Sequence, residues 1–388
     1  MHTVNNGRSS KTVCMLSSVH APLDIRIYHK ECKTLAGAGY EVTLIVPSRE
    51  MVNSDGIRIF PIPPERNRLL RMTRSVWRIY KLAKGEEAAT YHLHDPELIP
   101  IGLLLLAGGR HVIYDAHEDL PKDVMEKPWI PEKLRGLLSL VVDWLERATC
   151  RRFTAIITAG DSISDRLVSA GKHPVTLNNF PLAGEFTDSD SFSEGRLESN
   201  VIVSFGGLYA FRAARPMIEA FGLLAESSPV RLALGGGSES DVLREELKTK
   251  PGWRRIDYRG QMTRLQMLAE LSRAFAAIVL FHNGPNTRSV RSNRFYEALA
   301  AGVPVITPDF GDWKSVVEEN RCGLTVNPED PQQIAVAIEW LSSHPEEAAK
   351  MGRNGRELFL REFNWEREGK KLVRLYATLT NGSASNRS

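Results

Sequence analysis

Three side chains raise the first chemical question: Glu297 in "SNRFYEALAAGVPVIT" (292–307), Arg212 in "SFGGLYAFRAAR" (204–215) and His117 in "YDAHEDLP" (114–121). Glu297 falls early in a short helix that Ser292 or Asn293 can cap and that Gly302 stops, just before a β-branched run. It is either a solvated acid that complements the helix dipole or an acid above the mouth of an α/β sheet, where a ligand hydroxyl would meet it. Arg212 stands where a small-residue turn enters a helix. A guanidinium there can clamp a diphosphate through two parallel hydrogen bonds; otherwise it is a surface arginine. Gly206 and Gly207 in the same turn, and the second turn "LGGGSESD" (234–241), let a backbone approach a phosphate. Neither turn fits G-x-G-x-x-G or a P-loop, so a dinucleotide or nucleoside triphosphate site is unsupported.

His117 follows a buried strand within an acid-flanked turn, and in a doubly wound sheet that end of a strand faces the ligand. The alternative is a loop histidine that holds its own turn. "SSVHAPLDIRIYHKE" (17–31) puts His20, Asp24 and Arg26 in the loop after the first strand. His92 and His94 in "YHLHDPEL" are two apart on a strand, hence on one face. A metal there would need a third ligand; none suggests itself, and no metal is expected. Between 66 and 84 the chain carries seven basic residues and no acid, interleaved with Leu69, Leu70, Val76, Trp77 and Tyr80. This is either a sheet-covering helix with a solvated basic face or a patch for a membrane surface or anionic acceptor.

The elements that would position these residues alternate as they do in a parallel sheet covered by helices. In the first half, apolar runs at 12–16, 41–47, 57–62, 90–95, 111–117, 155–160 and 174–179 read as strands. Helices are expected near 25–38, 68–84, 96–107, 131–151 and 161–170. Residues 181–200, rich in Ser, Asp, Glu and Gly, read as a linker. Strands then follow at 201–207, 231–237, 255–260, 276–281, 303–307 and 323–327, with late helices near 331–343, 345–362 and 364–380. Two such halves suggest twin Rossmann-like α/β domains with a cleft between the carboxyl ends of their sheets.

The totals agree with that size. The chain has 388 residues, 42% hydrophobic and 25% charged, as in a globular protein with two ordinary domains. A formal charge of +3 is too small to argue for nucleic acid. Cys14, Cys32, Cys150 and Cys322 have no metal-like spacing and read as reduced thiols of a cytoplasmic protein. The start "MHTVNNGRSSK" has no signal-peptide core. The longest apolar run, 98–108, contains a proline and is too short to span a bilayer. The expectation is a cytoplasmic protein, at most attached to the inner face of a membrane.

Taken in order, these motifs resemble the retaining family 4 glycosyltransferases, from about residue 12 to 380. "VHAPLDIRIYHKECKTLAGAGYEVTLI", "LHDPELIPIGLLLL…HVIYDAHED", "FGGLYAFR", "NRFYEALAAGVPVI" and "FNWEREGKKLVRLY" carry the likeness. The resemblance implies the GT-B fold, two Rossmann-like α/β/α domains facing each other across a cleft. It implies an acceptor domain over 1–182, a linker over 183–200 and a donor domain over 201–363. A helix over 364–380 would cross back to the first domain, ahead of a disordered tail over 381–388.

The implied activity is metal-independent, retaining transfer of a sugar from a UDP- or GDP-sugar to a glycan or lipid-linked acceptor. A bacterial polysaccharide or glycoconjugate pathway would be its setting. The resemblance makes Arg212, His117 and Arg294 catalytic. It assigns Glu297 to the ribose, Asn293, Gly206 and Gly207 to the diphosphate, and Arg259 and Gly260 to the border of the base. Asn283 falls in the loop bordering sugar and phosphates, and His20, Asp24 and Arg26 fall on the acceptor side. Two positions depart from the family pattern. Ser289 stands where an acid often precedes Glu297 by eight residues, and Ala213-Ala214 replaces a basic residue, leaving Arg215 or Arg294 as the second cation. A nucleotide-sugar epimerase, a phosphorylase-like enzyme and a non-catalytic sugar-nucleotide-binding or scaffold subunit are the alternatives.

Overall fold

The computed structural model describes all residues except 1–10, 51–55, 128–129, 169–170, 172, 191–197, 285–286, 289–291 and 386–388. It divides into two units, Met1–Asn179 with Trp365–Ser388, and Phe180–Asn364.

The first unit is built on seven parallel strands: β1 (Thr12–Leu16), β2 (Glu41–Pro47), β3 (Arg58–Ile62), β4 (Thr90–Leu93), β5 (His111–Ala116), β6 (Ala155–Thr158) and β7 (Val175–Thr176). Their order is β3-β2-β1-β4-β5-β6-β7. Helix α1 begins with a π-type segment, Ile25–Cys32, capped by the Asp24 carboxylate, and runs on through Lys33–Gly37. The others are α2 (Val76–Glu86), which a short α-helical turn at Arg68–Leu70 and a π-type segment at Arg71–Ser75 lead into, α3 (Ile99–Ala107), α4 (Leu120–Glu126), α5 (Glu132–Cys150) and α6 (Asp161–Val168). The short α4 was not expected, since "LPKDVME" has too few apolar residues to show a helical period.

Alternation along β4 divides the two faces of this sheet. Tyr91 and Leu93 join one apolar cluster with Val76 and Ile79 of α2, Ile101 and Leu105 of α3, Cys150 of α5 and Leu167 of α6. These four helices therefore cover the same face, as right-handed crossovers require. His92 and His94 point the other way, toward the layer that contains α1.

The second unit has six parallel strands in the order β10-β9-β8-β11-β12-β13. They are β8 (Val201–Ser204), β9 (Arg231–Gly235), β10 (Ile256–Gly260), β11 (Ala276–Ile278), β12 (Val305–Pro308) and β13 (Gly323–Val326). Its helices are α7 (Ala214–Leu223), α8 (Asp241–Lys248), α9 (Arg264–Arg273), α10 (Asn293–Ala300), α11 (Gly311–Asn320), α12 (Pro331–Ser343) and α13 (Pro345–Glu362).

The division falls earlier than composition implies. Phe180 and Phe186 are buried in the second unit's core beside Tyr296 and Phe359, so the polar stretch after Asn179 begins as packed structure rather than as linker. The last helix, α14 (Trp365–Ser385), belongs to the first unit. Trp365 Nε1 donates to Thr34 Oγ1 at 2.9 Å, and Glu368 Oε2 accepts the Asn178 N–H at 3.0 Å. This helix continues past residue 380, where a frayed tail was expected, and residues 386–388 of that tail lie outside the described residues. Among the described residues no helix is long and apolar enough to cross a membrane.

Candidate functional site

The candidate residues fall into two groups, one in each unit. In the second unit, β8 ends at Ser204 and the chain turns through Gly206 and Gly207. Gly207 has φ +73°, and a Cβ there would collide with the Gly237 carbonyl oxygen. Backbone bonds run from Gly207 N to Gly235 O (3.0 Å) and from Leu208 N to Gly237 O (2.9 Å). The two glycine turns are therefore locked to each other. At Gly207 the glycine serves backbone-to-backbone packing, while Gly206 is the one that faces Arg212.

Arg212 follows in a turn at Ala210–Arg212, and Ala213 takes a left-handed conformation (φ 52°) before α7 begins. Its guanidinium lies 5.1 and 5.2 Å from the ring centres of Phe211 and Phe281. With Ser204, Gly206, Gly207 and Arg294 it lines one cavity. Burial, and then the charge of Arg294, lowers the Arg212 pKa. Among the described residues no carboxylate pairs with Arg212, so the cavity holds a positive charge with no acid of its own. An anion would relieve it. Helix α10 starts at Asn293; Ser292 takes the cap position, but its side chain makes no cap bond, contrary to expectation.

Glu297, 6% exposed, is bonded by two arginines. Arg294 Nη1 donates to Oε2 at 2.8 Å, one turn back on the same helix, and Arg264 Nη1 donates to Oε1. Arg264 also reaches Glu185 Oε2 at 2.6 Å. Sequence reasoning missed Arg264. The Thr263–Gln266 capping box could mark the start of α9, but nothing local ties its first residue to an acid 33 positions on.

The remaining expected residues of this unit do not line this cavity. Arg259, on the edge strand β10, is held by Asp257 (2.5 Å) and Glu270 (3.7 Å), while the Gly260 carbonyl accepts from Gly236 N at 2.7 Å. Asn283 Oδ1 accepts from Arg288 Nε at 2.8 Å, and Asn293 is exposed. Arg215 is no second cation for the cavity, because Glu246 holds it at 2.6 and 2.7 Å. Ser289 lies outside the described residues.

In the first unit, His117 Nε2 lies 3.0 Å from Asp115 Oδ2 and 3.3 Å from His94 Nδ1. His94 stacks on His92, whose Nδ1 is 2.9 Å from Tyr376 Oη. Arg26 was expected to face an acceptor. Instead its guanidinium is buried, with Nη2 3.0 and 2.9 Å from the two Asp115 oxygens and Nε 3.0 Å from Glu31 Oε1. Asp24 is occupied by the cap of α1 and by His20 at 3.4 Å. His20 also approaches Asp95 at 3.5 Å and meets His117 edge-on.

Glu31, His94, Asp115 and His117 bring ligand-type atoms within 4.8 Å of one another, so the third metal ligand that the sequence did not reveal is spatially present. Charge decides what such a cluster takes up. Arg26 already neutralises one of the two buried carboxylates, and burial followed by the Asp115 charge pushes Glu31 well above the usual carboxylate range. Burial acts on Asp115 too, but Arg26 and then His117 hold it well below that range. One proton on Glu31 completes the balance, whereas a divalent ion would leave an excess charge beside Arg26.

Burial holds His92 down at about 3 and His94 well below 6.5. Both are neutral in the native state at pH values where the unfolded chain binds protons. Stability should therefore fall as pH drops below about 6.5 and continue falling toward 3, by about 1.4 kcal/mol per pH unit for each such histidine. Calorimetric melts between pH 7 and 4 test this; His92→Asn should flatten the slope, and an unchanged slope would remove His92 from the account.

Each unit matches one family. Residues 187–358 match the sequence model described as Glycosyl transferases group 1, and residues 26–178 match Glycosyltransferase Family 4. The chain belongs to the group 1 glycosyltransferases, of the family 4 type. Its activity class is glycosyl transfer. Among relatives of this glycosyltransferase, the MMP alpha-(1->4)-mannosyltransferase of Mycolicibacterium hassiacum is 23% identical over 73% of this chain and 69% of its own. The glycogen synthase of Mycobacterium tuberculosis is 21% identical over 66% of this chain and 60% of its own. Sucrose-phosphate synthase from Thermosynechococcus elongatus superposes with a TM-score of 0.70, at 18% identity, over 96% of this chain and 100% of that one. Anabaena HepE in complex with UDP-glucose gives 0.68, at 13% identity, over 95% and 99%. At such identities the two structures speak to the GT-B fold alone.

Proposed function

We propose that this glycosyltransferase moves a sugar from a UDP- or GDP-sugar to a glycan or lipid-linked acceptor, with retention at the anomeric carbon. Polysaccharide or glycoconjugate synthesis is the setting. The observation that carries the reading is Arg212, a partly buried cation with no carboxylate partner among the described residues, sharing a cavity with Arg294 at the start of α10. Relatives named as a mannosyltransferase and a glycogen synthase support it, as does a fold neighbour solved with UDP-glucose.

Arg212 and Arg294 take up charge as the bond from sugar to phosphate loosens, and the N–H groups at the start of α10 add to them. An oxygen of the leaving phosphate takes the acceptor's proton, so no general base is assigned. Glu297 is oriented by its two arginines, and each of its oxygens keeps a second lone pair for a ribose hydroxyl. Gly260 and Arg259 border the base, and Asn283 and Asn293 the phosphates. His117, with its side chain 15% exposed, contacts the transferring sugar, and His20 stands on the acceptor side. Protein cations replace a metal, and residues 66–84 touch the membrane surface.

Calorimetric titration with UDP, GDP, ADP and dTDP, without metal, tests the donor site. One nucleotide should bind selectively, and Glu297→Ala should weaken it by about 10- to 100-fold, the value of one hydrogen bond to a charged group. No binding of any nucleotide would overturn the reading. Chelator should leave the transfer rate unchanged, and a rate restored only by a divalent ion would refute metal independence.

A further inference from the structure

Helix α5 is turned inside out. Its polar side chains face the protein: Asp143 and Glu146 hold Arg166 at 2.9 and 2.7 Å, and Ser139 Oγ donates to Pro121 O at 2.8 Å. Its large apolar side chains face outward. Leu134, Leu137, Leu138, Leu140, Val141 and Trp144 are all exposed, Leu140 by 70% and Trp144 by 68%. At the helical step they occupy one stripe about 160° wide, opposite the ion-paired seam. The seam fixes the rotation of the helix, so the stripe cannot roll inward without stripping Arg166 of its acids. Water is a poor medium for such a face, and a stripe this wide marks an interaction surface.

Charge elsewhere in the same layer indicates what covers it. Helix α2 lies in the same layer over the same face of the sheet. With the helical segment Arg68–Ser75 before it, α2 exposes Arg68, Arg74, Arg78, Lys81 and Lys84, together with Leu69 and Trp77, the latter by 51%. An apolar stripe and exposed cations on one helical layer fit an anionic phospholipid leaflet, whose acyl region takes the leucines while its phosphates meet the arginines. A second copy of the chain would bring the same cations face to face.

We propose that the outer side of this helical layer docks on an anionic membrane, with α5 as the inserting helix and α2 as the electrostatic contact. The inference extends the membrane contact proposed for residues 66–84 and is tested without nucleotide or acceptor, so its failure and that of the transfer reaction are separable.

The test is co-sedimentation with vesicles of phosphatidylcholine, with and without phosphatidylglycerol. Wild type should partition at least about tenfold better onto the anionic vesicles, and less so at high salt. Leu140→Ser with Trp144→Ser should lose at least about tenfold of that partition. Arg74→Gln, Arg78→Gln and Lys81→Gln together should lose the part that depends on phosphatidylglycerol. Melting curves and nucleotide affinity, which all these exposed variants should leave unchanged, report an intact fold. Wild type that ignores both vesicles, or an α5 variant retained as well as wild type, would overturn the proposal. So would a wild-type dimer, without vesicle binding, that the α5 variant converts to monomer; that outcome would assign the stripe to a second copy.

Discussion

Arg212→Ala should lower the turnover number by about two to three orders of magnitude, with the melting temperature unchanged. The side chain is packed between two phenylalanine rings, and no described acid depends on it, so its removal leaves no buried charge unpaired. What it removes is charge stabilisation at the leaving phosphate, which grows as the bond breaks and is therefore felt more in turnover than in ground-state affinity. Steady-state kinetics beside calorimetry with nucleoside diphosphate separate the two. Equal losses in turnover and affinity would make Arg212 a binding group only. Arg212→Lys should recover part of the rate, since a point charge replaces the bidentate fork incompletely.

Arg26→Leu should have the opposite signature, with the first unit destabilised by about 3–5 kcal/mol and nucleotide affinity in the second unit intact. The substitution leaves Asp115 and Glu31 facing each other with no cation between them, and it strips the Leu177 carbonyl of its 2.9 Å donor. Protonation of the second acid offsets part of the loss. The destabilisation should therefore shrink as pH falls from 7 to 5, against the trend set by His92 and His94. Denaturant titrations at two pH values decide it. A loss below about 1 kcal/mol would mean that the cluster gets its charge balance elsewhere.

What the sequence made legible was local. Strand and helix order could be read from period, and Arg294 stands three residues before Glu297 on one helix, so their pairing follows from spacing. Arg264 and Glu297 are 33 residues apart, and Arg26 and Asp115 are 89 apart; only the sheet order brings either pair together. The Arg26 reading failed for that reason. A loop arginine near a candidate site looks available until the carboxylates at the end of β5 and on α1 are seen to enclose it. Residues 181–200 misled through composition. Their Ser, Asp, Glu and Gly residues set the composition, yet Phe186 among them and Phe180 just before them decide where the segment begins to pack. The third ligand-type group beside His94 was hidden likewise, because His117 follows another strand and Glu31 sits on a helix.

The π-type winding of Ile25–Cys32 bears on how this segment tolerates changes in length. In an α-helix, residues five apart point about 140° away from each other; the wider turn here brings Arg26 and Glu31 together. Losing one residue between them would restore ordinary winding at a spacing of four, which also keeps two side chains on one face. Gaining one would separate them in either winding. Shortening is thus survivable for this ion pair and lengthening is not, so the segment stands at the upper limit of the chain length its buried charges allow.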